Sequence, residues 1–156
     1  MTMNTAYRDA VIELEDFLAK AGISVSEVSD YGALMTFSTV SIHSSVERSY
    51  PASINAHLLT SRSNTYEIGI LEEVIDPVRF ESDRTHLSNA FKRFGLDGSR
   101  LNSEDMQEGL RDYLKFSLAR LVDFLVAHSE VILDDDEPYR ASYLRKVEER
   151  LSQIGL

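Results

Sequence analysis

The sequence predicts an α+β fold: an N-terminal helix, an antiparallel β meander of three to four strands, then three C-terminal helices. Three observations carry this expectation. Apolar residues recur at three and four over the first twenty positions. From Ile23 to Asp76 the chain is rich in Thr, Ser, Val, Ile and Tyr, and the apolar spacing shortens towards two. Beyond Asp76 the helical period returns. Strands and helices kept in separate stretches argue for α+β and against a parallel α/β sheet. The 156 residues are enough for one domain with a hydrophobic core, and 43% hydrophobic against 27% charged residues argues against disorder. Residues 1–156 therefore read as a single acidic domain.

The first helix follows from Tyr7, Ala10, Val11, Leu14, Phe17, Leu18 and Ala21, with charges on the opposite face. Asn4 or Thr5 can cap its start, and Gly22 supplies the left-handed residue that ends it. Ile23 and Val25 start a short strand. Ala33 to Ile42 reads as a second strand without clean alternation, as if both faces were covered. Ser44 to Pro51 is polar and reads as a loop. Ile54, Ala56, Leu58 and Thr60 alternate with Asn55 and His57; Tyr66, Ile68 and Ile70 alternate with Glu67 and Gly69. The polar run Ser61 to Asn64 between them has the size of a hairpin loop.

Asp76-Pro77 closes the sheet region. Leu87, Ala90, Phe91 and Phe94 then form a helical stripe, with Ser82 or Asp83 as its cap and Gly95 as its stop. Asn102 or Ser103 caps a long helix with a wide apolar face through Leu110, Tyr113, Leu114, Leu118, Leu121 and Leu125. Its run from Phe116 to Val126 is apolar over most of its circumference, which predicts the most buried helix of the fold. Glu104, Asp105 and Glu108 lie in its first turns, where the helix dipole favours carboxylates. An acidic connector, Asp134 to Glu137, precedes the last helix, which Pro138 opens and Ala141, Leu144, Val147, Leu151 and Ile154 mark.

Composition removes several function classes. There is no cysteine, so disulfides, thiolate metal sites and cysteine nucleophiles are excluded. The 26 acidic against 16 basic residues give a net charge of −10. That sign repels phosphates and anionic lipid headgroups, so neither nucleic acid nor a membrane is the expected partner. No apolar run is long enough to span a bilayer or to read as a signal peptide, and a cytoplasmic location is expected. The two segments 85–94 and 103 onwards suggest a helix-turn-helix, but Glu104, Asp105, Glu108 and Asp112 put the wrong sign on its recognition helix. No Gly-rich phosphate loop and no Gly-x-Ser-x-Gly occur.

The four histidines, His43, His57, His86 and His128, show no metal-ligand spacing. His43 and His57 could meet across paired strands. Ser44 points away from His43 on a strand, so the two are not a nucleophile and its base. The acids at 134–137 fail the calcium-loop pattern, lacking its glycine and its glutamate at position twelve. Glu72, Glu73 and Asp76 resemble a hydrolytic carboxylate pair less than a charge cluster protecting a sheet edge. No catalytic residue, metal ligand or cofactor is therefore assigned.

What remains is recognition of another protein. An acidic surface steers basic partners, and aromatic anchors hold them. Tyr31, Tyr50, Tyr66 and Tyr139 lie near element ends, where such anchors sit. The expected partner-binding residues are Glu72, Glu73, Asp76, Asp134, Asp135, Asp136, Glu137 and Tyr139. The expected function is that of an immunity protein, which neutralises a basic toxin such as a nuclease by covering its active site. A chaperone for a secreted effector, and a small hydrolase or ligand-binding enzyme built on the strand histidines, are the alternatives.

Overall fold

The computed structural model describes residues 4–98, 100–134 and 137–155. The element order is α1 (Ala6–Glu13), α2 (Glu15–Lys20), β1 (Ile23–Val28), β2 (Gly32–Phe37), β3 (Val40–Val46), β4 (Ile54–Leu59), β5 (Thr65–Glu67), α3 (Ile68–Ile75) and α4 (Pro77–Arg93). A 3-10 turn (Glu104–Met106), α5 (Gln107–Ala127), α6 (Ser129–Asp134) and α7 (Glu137–Gln153) complete it. The expected α+β order of helix, antiparallel meander and helices holds.

The five strands form one sheet in sequence order, each antiparallel to the next. Alternation places Met35, Phe37, Val40, Ile42, Ala56, Leu58 and Tyr66 on one buried face. Helices α1, α3 and α5 pack on that face. Tyr7 on α1 is buried there, and its hydroxyl donates to Ser44 Oγ at 2.8 Å. Burial pushes the phenol of Tyr7 up to about 12, with the Ser44 hydrogen bond opposing it. The opposite face, with Thr36, His43, Ser45, His57 and Leu59, is exposed.

Several boundaries depart from the sequence reading. The predicted strand 33–42 is two strands folded on each other, because Ser38, at a φ of 54°, turns the chain. Its lack of clean alternation came from this reversal of direction, not from burial on both faces. Strand β3 continues through Val46, into the stretch expected to be loop. The hairpin at Ser61–Asn64 forms as expected, with Thr60 N–H donating to Asn64 O at 2.9 Å.

The largest correction concerns residues 68–75. Their alternation suggested a strand, but β5 ends at Glu67 and a helix follows. Ile68, Leu71 and Glu72 share a 3–4 spacing that buries all three. Helix α4 then starts at Pro77, where Asp76 accepts the Arg79 N–H at 3.2 Å as N-cap; Ser82 and Asp83 lie inside the helix. The first helix is interrupted at Leu14, and Gly22 ends the pair at a φ of 83°.

The core is anchored by α5, which buries Leu110, Tyr113, Leu114, Leu118, Val122, Phe124 and Leu125. Leu121 lies at the half-buried margin of this face. Helix α7 docks through Tyr139 and Tyr143 against Tyr66, with ring centroids 5.5 and 4.8 Å apart. Gly109 marks the tightest approach: a Cβ there would stand 2.7 Å from the Phe94 carbonyl oxygen.

Leu118→Ala is expected to cost about 2–5 kcal/mol by leaving a cavity, and Leu121→Ala less than half of that. Gly109→Ala is expected to cost about 1–3 kcal/mol through overpacking against backbone. Denaturant melts of the three variants check the order; equal losses at Leu118 and Leu121 would misplace the core.

Candidate functional site

The residues singled out in sequence occupy different environments. Glu72 is 8% exposed and faces inward from α3. Glu73, on the outer side of that helix, is gripped by Lys146 at 3.4 Å and by Arg150 from α7. Burial raises the Glu73 carboxyl, but Arg150 and Lys146 outweigh it and hold the group below its ordinary value. Asp76 is lowered too, first by the hydrogen bond from His128 Nε2 at 2.9 Å, then by the Arg79 N–H. These three acids therefore join α3 to α4, α5 and α7. None of them protects a sheet edge.

Tyr139 is 8% exposed and belongs to the core beside Tyr66, so it offers no projecting anchor. Tyr66 is 1% exposed, Tyr31 is half-buried beneath the Arg48 guanidinium, and Tyr50 is exposed. Asp135 and Asp136 lie outside the described residues, as do the side chains of Asp134 and Glu137.

A buried ionisable cluster lies where α3, α4 and α5 meet. Asp83 is 5% exposed and takes Arg120 Nε at 2.8 Å and the same guanidinium's terminal nitrogen; Arg79 stands 3.8 Å away. Arg120 also reaches His86 Nδ1 at 3.1 Å. Glu72 is hydrogen-bonded to Asp83. Burial, then that bond and the charge of Asp83, push Glu72 up to about 8, so it is the proton carrier of the pair. A small cavity of about 160 Å³ adjoins the cluster, with Gly69, Leu87, Ser117 and Leu121 among its walls. Two carboxyls sharing a proton beneath a guanidinium complete one another's hydrogen bonding, which is how a buried charge group is satisfied. Sequence pattern missed it because Glu72 read as part of a charge cluster at a sheet edge and Asp83 as a helix cap.

The strand histidines do meet. His43 and His57 are directly opposed on β3 and β4, both on the open sheet face, with Glu67 opposite His57. Among the described residues no three His, Asp or Glu side chains gather as a metal site. His43, His57 and Glu67 are half-buried or exposed on this open face, and none of them makes a hydrogen bond to another there.

An acidic surface lies along the α1–α5 seam. Asp9, Glu13 and Asp16 follow one another at four and three along α1–α2. Glu104, Glu108 and Asp112 do so at four into α5, with Asp105 beside them. Glu13 bridges the two rows through Arg111 at 3.3 Å and Lys115 at 3.3 Å. Arg111 also touches Asp112 at 3.1 Å, and the Asp112 hydrogen bond leads the rise in its basicity. Glu13, Glu108 and Asp112 thus hold the two cations, and among the described residues Asp16, Glu104 and Asp105 are exposed and form no ion pair.

No family model, curated protein or solved structure matches this chain.

The buried cluster sets a pH dependence. Glu72 binds its proton more tightly folded than unfolded, so its contribution is fully present below about pH 4 and is lost as pH rises through about 8. Glu72→Gln keeps a neutral donor toward Asp83. It is expected to melt higher than the parent at pH 9, by about 1–3 kcal/mol, and to flatten the decline between about pH 5 and 8. Denaturant melts across that range decide; a Glu72→Gln chain that is less stable than the parent at pH 9 contradicts the protonated assignment.

Proposed function

We propose that this protein binds a basic protein partner, and that the binding neutralises a toxic enzyme such as a nuclease by covering its cationic active site. The acidic α1–α5 seam carries this reading. Its carboxylates lie on α1–α2, the 3-10 turn and α5, and the packing of α1 on α5 with the Glu13 bridges fixes the spacing of the two rows. Fixed negative charge of this density accelerates encounter with a cationic surface and matches a phosphate-binding cleft. The net charge of −10 acts in the same sense at longer range.

The seam replaces Glu72, Glu73, Asp76 and Tyr139 as the contact surface, since those side chains are buried or engaged within the fold. The acids from 134 to 137 lie elsewhere in the chain and are not needed for it. Neutralising a folded enzyme is preferred to chaperoning an unfolded one, because the long apolar faces of α3 and α5 are already spent within the core.

The test is co-expression with the product of the neighbouring gene, with cell survival and affinity as readouts. Glu108→Lys with Asp112→Lys is expected to weaken binding at least about 100-fold, mostly through slower association, and to reduce its salt dependence. Thermal melting checks that the double variant stays folded. Undiminished affinity in the double variant, or no protection by the parent, would falsify the reading.

A further inference from the structure

The two edges of the sheet are treated differently. At β5, the Glu67 N–H donates to the Tyr143 hydroxyl at 2.7 Å, so α7 occupies that edge. At β1 no element among the described residues does this. The two-residue turn at Ser38–Thr39 closes on the pair Phe37–Val40, which makes that pair the hydrogen-bonded kind. Phe37 and Met35 therefore direct their backbone groups to β3, and their partners Ile23 and Val25 direct theirs away from β2. Neither Ile23 nor Val25 makes a backbone hydrogen bond outside the ladder.

These open groups face a groove of about 400 Å³ between β1 and α1–α2. Val11, Ile12, Ala19, Val25 and Val28 line it, and Glu15 is its charged wall. Ile12 is 51% exposed and Val28 37%. Helix beside an unpaired strand edge is the geometry in which an extended peptide adds as a further strand, taking affinity from backbone bonds and selectivity from side-chain pockets. The bulge between Val25 and Glu27 shifts the register before pairing resumes at Glu27–Leu34, so the regular edge offered for addition is Ile23–Val25.

We propose that this groove receives an extended segment of the partner, alternating apolar and basic residues, as a sixth strand beside β1. The open backbone groups define the occupant as extended, and the apolar lining defines one of its faces. Glu15, the one charged side chain of the groove wall, defines its charge as basic. A second copy of this chain fits poorly, since edge-to-edge pairing would bring together two chains that each carry a net charge of −10. The proposal deepens the partner-binding reading and rests on it for the partner's charge.

The probe is a synthetic peptide of about eight residues alternating valine and lysine, titrated into the full chain while backbone amide shifts are followed. Shifts at Ile23 and Val25 are expected. Ile12→Lys is expected to weaken binding about tenfold or more with unchanged melting, and so is N-methylation of the peptide's alternate amides, which removes the edge bonds. Absence of shifts at Ile23 and Val25 up to about 1 mM peptide overturns the proposal. Equal binding by the N-methylated peptide does so as well, as does a β1-mediated dimer that the peptide cannot compete. Glu108→Lys separates the two readings. If it abolishes peptide binding while Ile12→Lys has no effect, the groove fails and the acidic seam stands. If the groove responds but the seam variants bind the neighbouring gene's product undiminished, the seam fails and the groove stands.

Discussion

A sheet whose alternation buries only one face constrains everything else in this molecule. Met35, Ile42 and Leu58 lie in register across three adjacent strands, and the helices must gather over them. With α1, α3 and α5 committed to that side, the other face stays exposed among the described residues. Polar residues and the two opposed histidines occupy it instead. The same constraint brings the N-terminal helix against α5, although more than ninety residues separate them, and so creates the acidic seam.

Charge is sorted by this architecture into two roles. Inside, Asp83 is matched by Arg120 and Arg79, while Glu72 takes a proton and avoids ionising. The interior thereby holds together the junction of three helices at the cost of desolvating one guanidinium and one carboxylate. Outside, at the seam, acids outnumber bases and water solvates the excess. Such exposed pairs contribute little to stability individually, so their arrangement is better understood through the field they project. A surface of this kind and an interior of this kind have opposite requirements, and only burial tells which one an acidic residue serves.

Much of the fold was legible. Helix α1–α2 with its Gly22 stop, the strand at Ile54, the hairpin loop at Ser61–Asn64 and the long apolar helix α5 stand where period and turn chemistry put them. The turn at Ser38–Thr39 was hidden because the pair lacks the Asn-Gly or Gly-x signature of a two-residue hairpin, and Ser38 adopts a positive φ without glycine. Helix α3 was hidden because Tyr66, Ile68 and Ile70 satisfy a period of two while Ile68, Leu71 and Glu72 satisfy one near 3.6. Over so short a run both templates fit, and packing against β4 and α7 selected the helix. The candidate site was less legible, since Glu72, Asp76 and Tyr139 were judged as surface residues from local polarity alone. Each turned out to have a partner more than ten residues distant: Asp83, His128 and Tyr66.

By itself the sequence determined the α+β order, the apolar face of α5, the absence of cysteine chemistry and the negative sign of the whole, because periodicity, composition and charge are properties of neighbours along the chain. Tertiary structure alone decided which acids are buried, that His43 faces His57, that the Glu13 row meets the Glu108 row, and that β1 keeps an open edge while β5 does not. Those outcomes depend on register and on contacts between distant segments, and desolvation and hydrogen-bond pairing act only once such segments have come together.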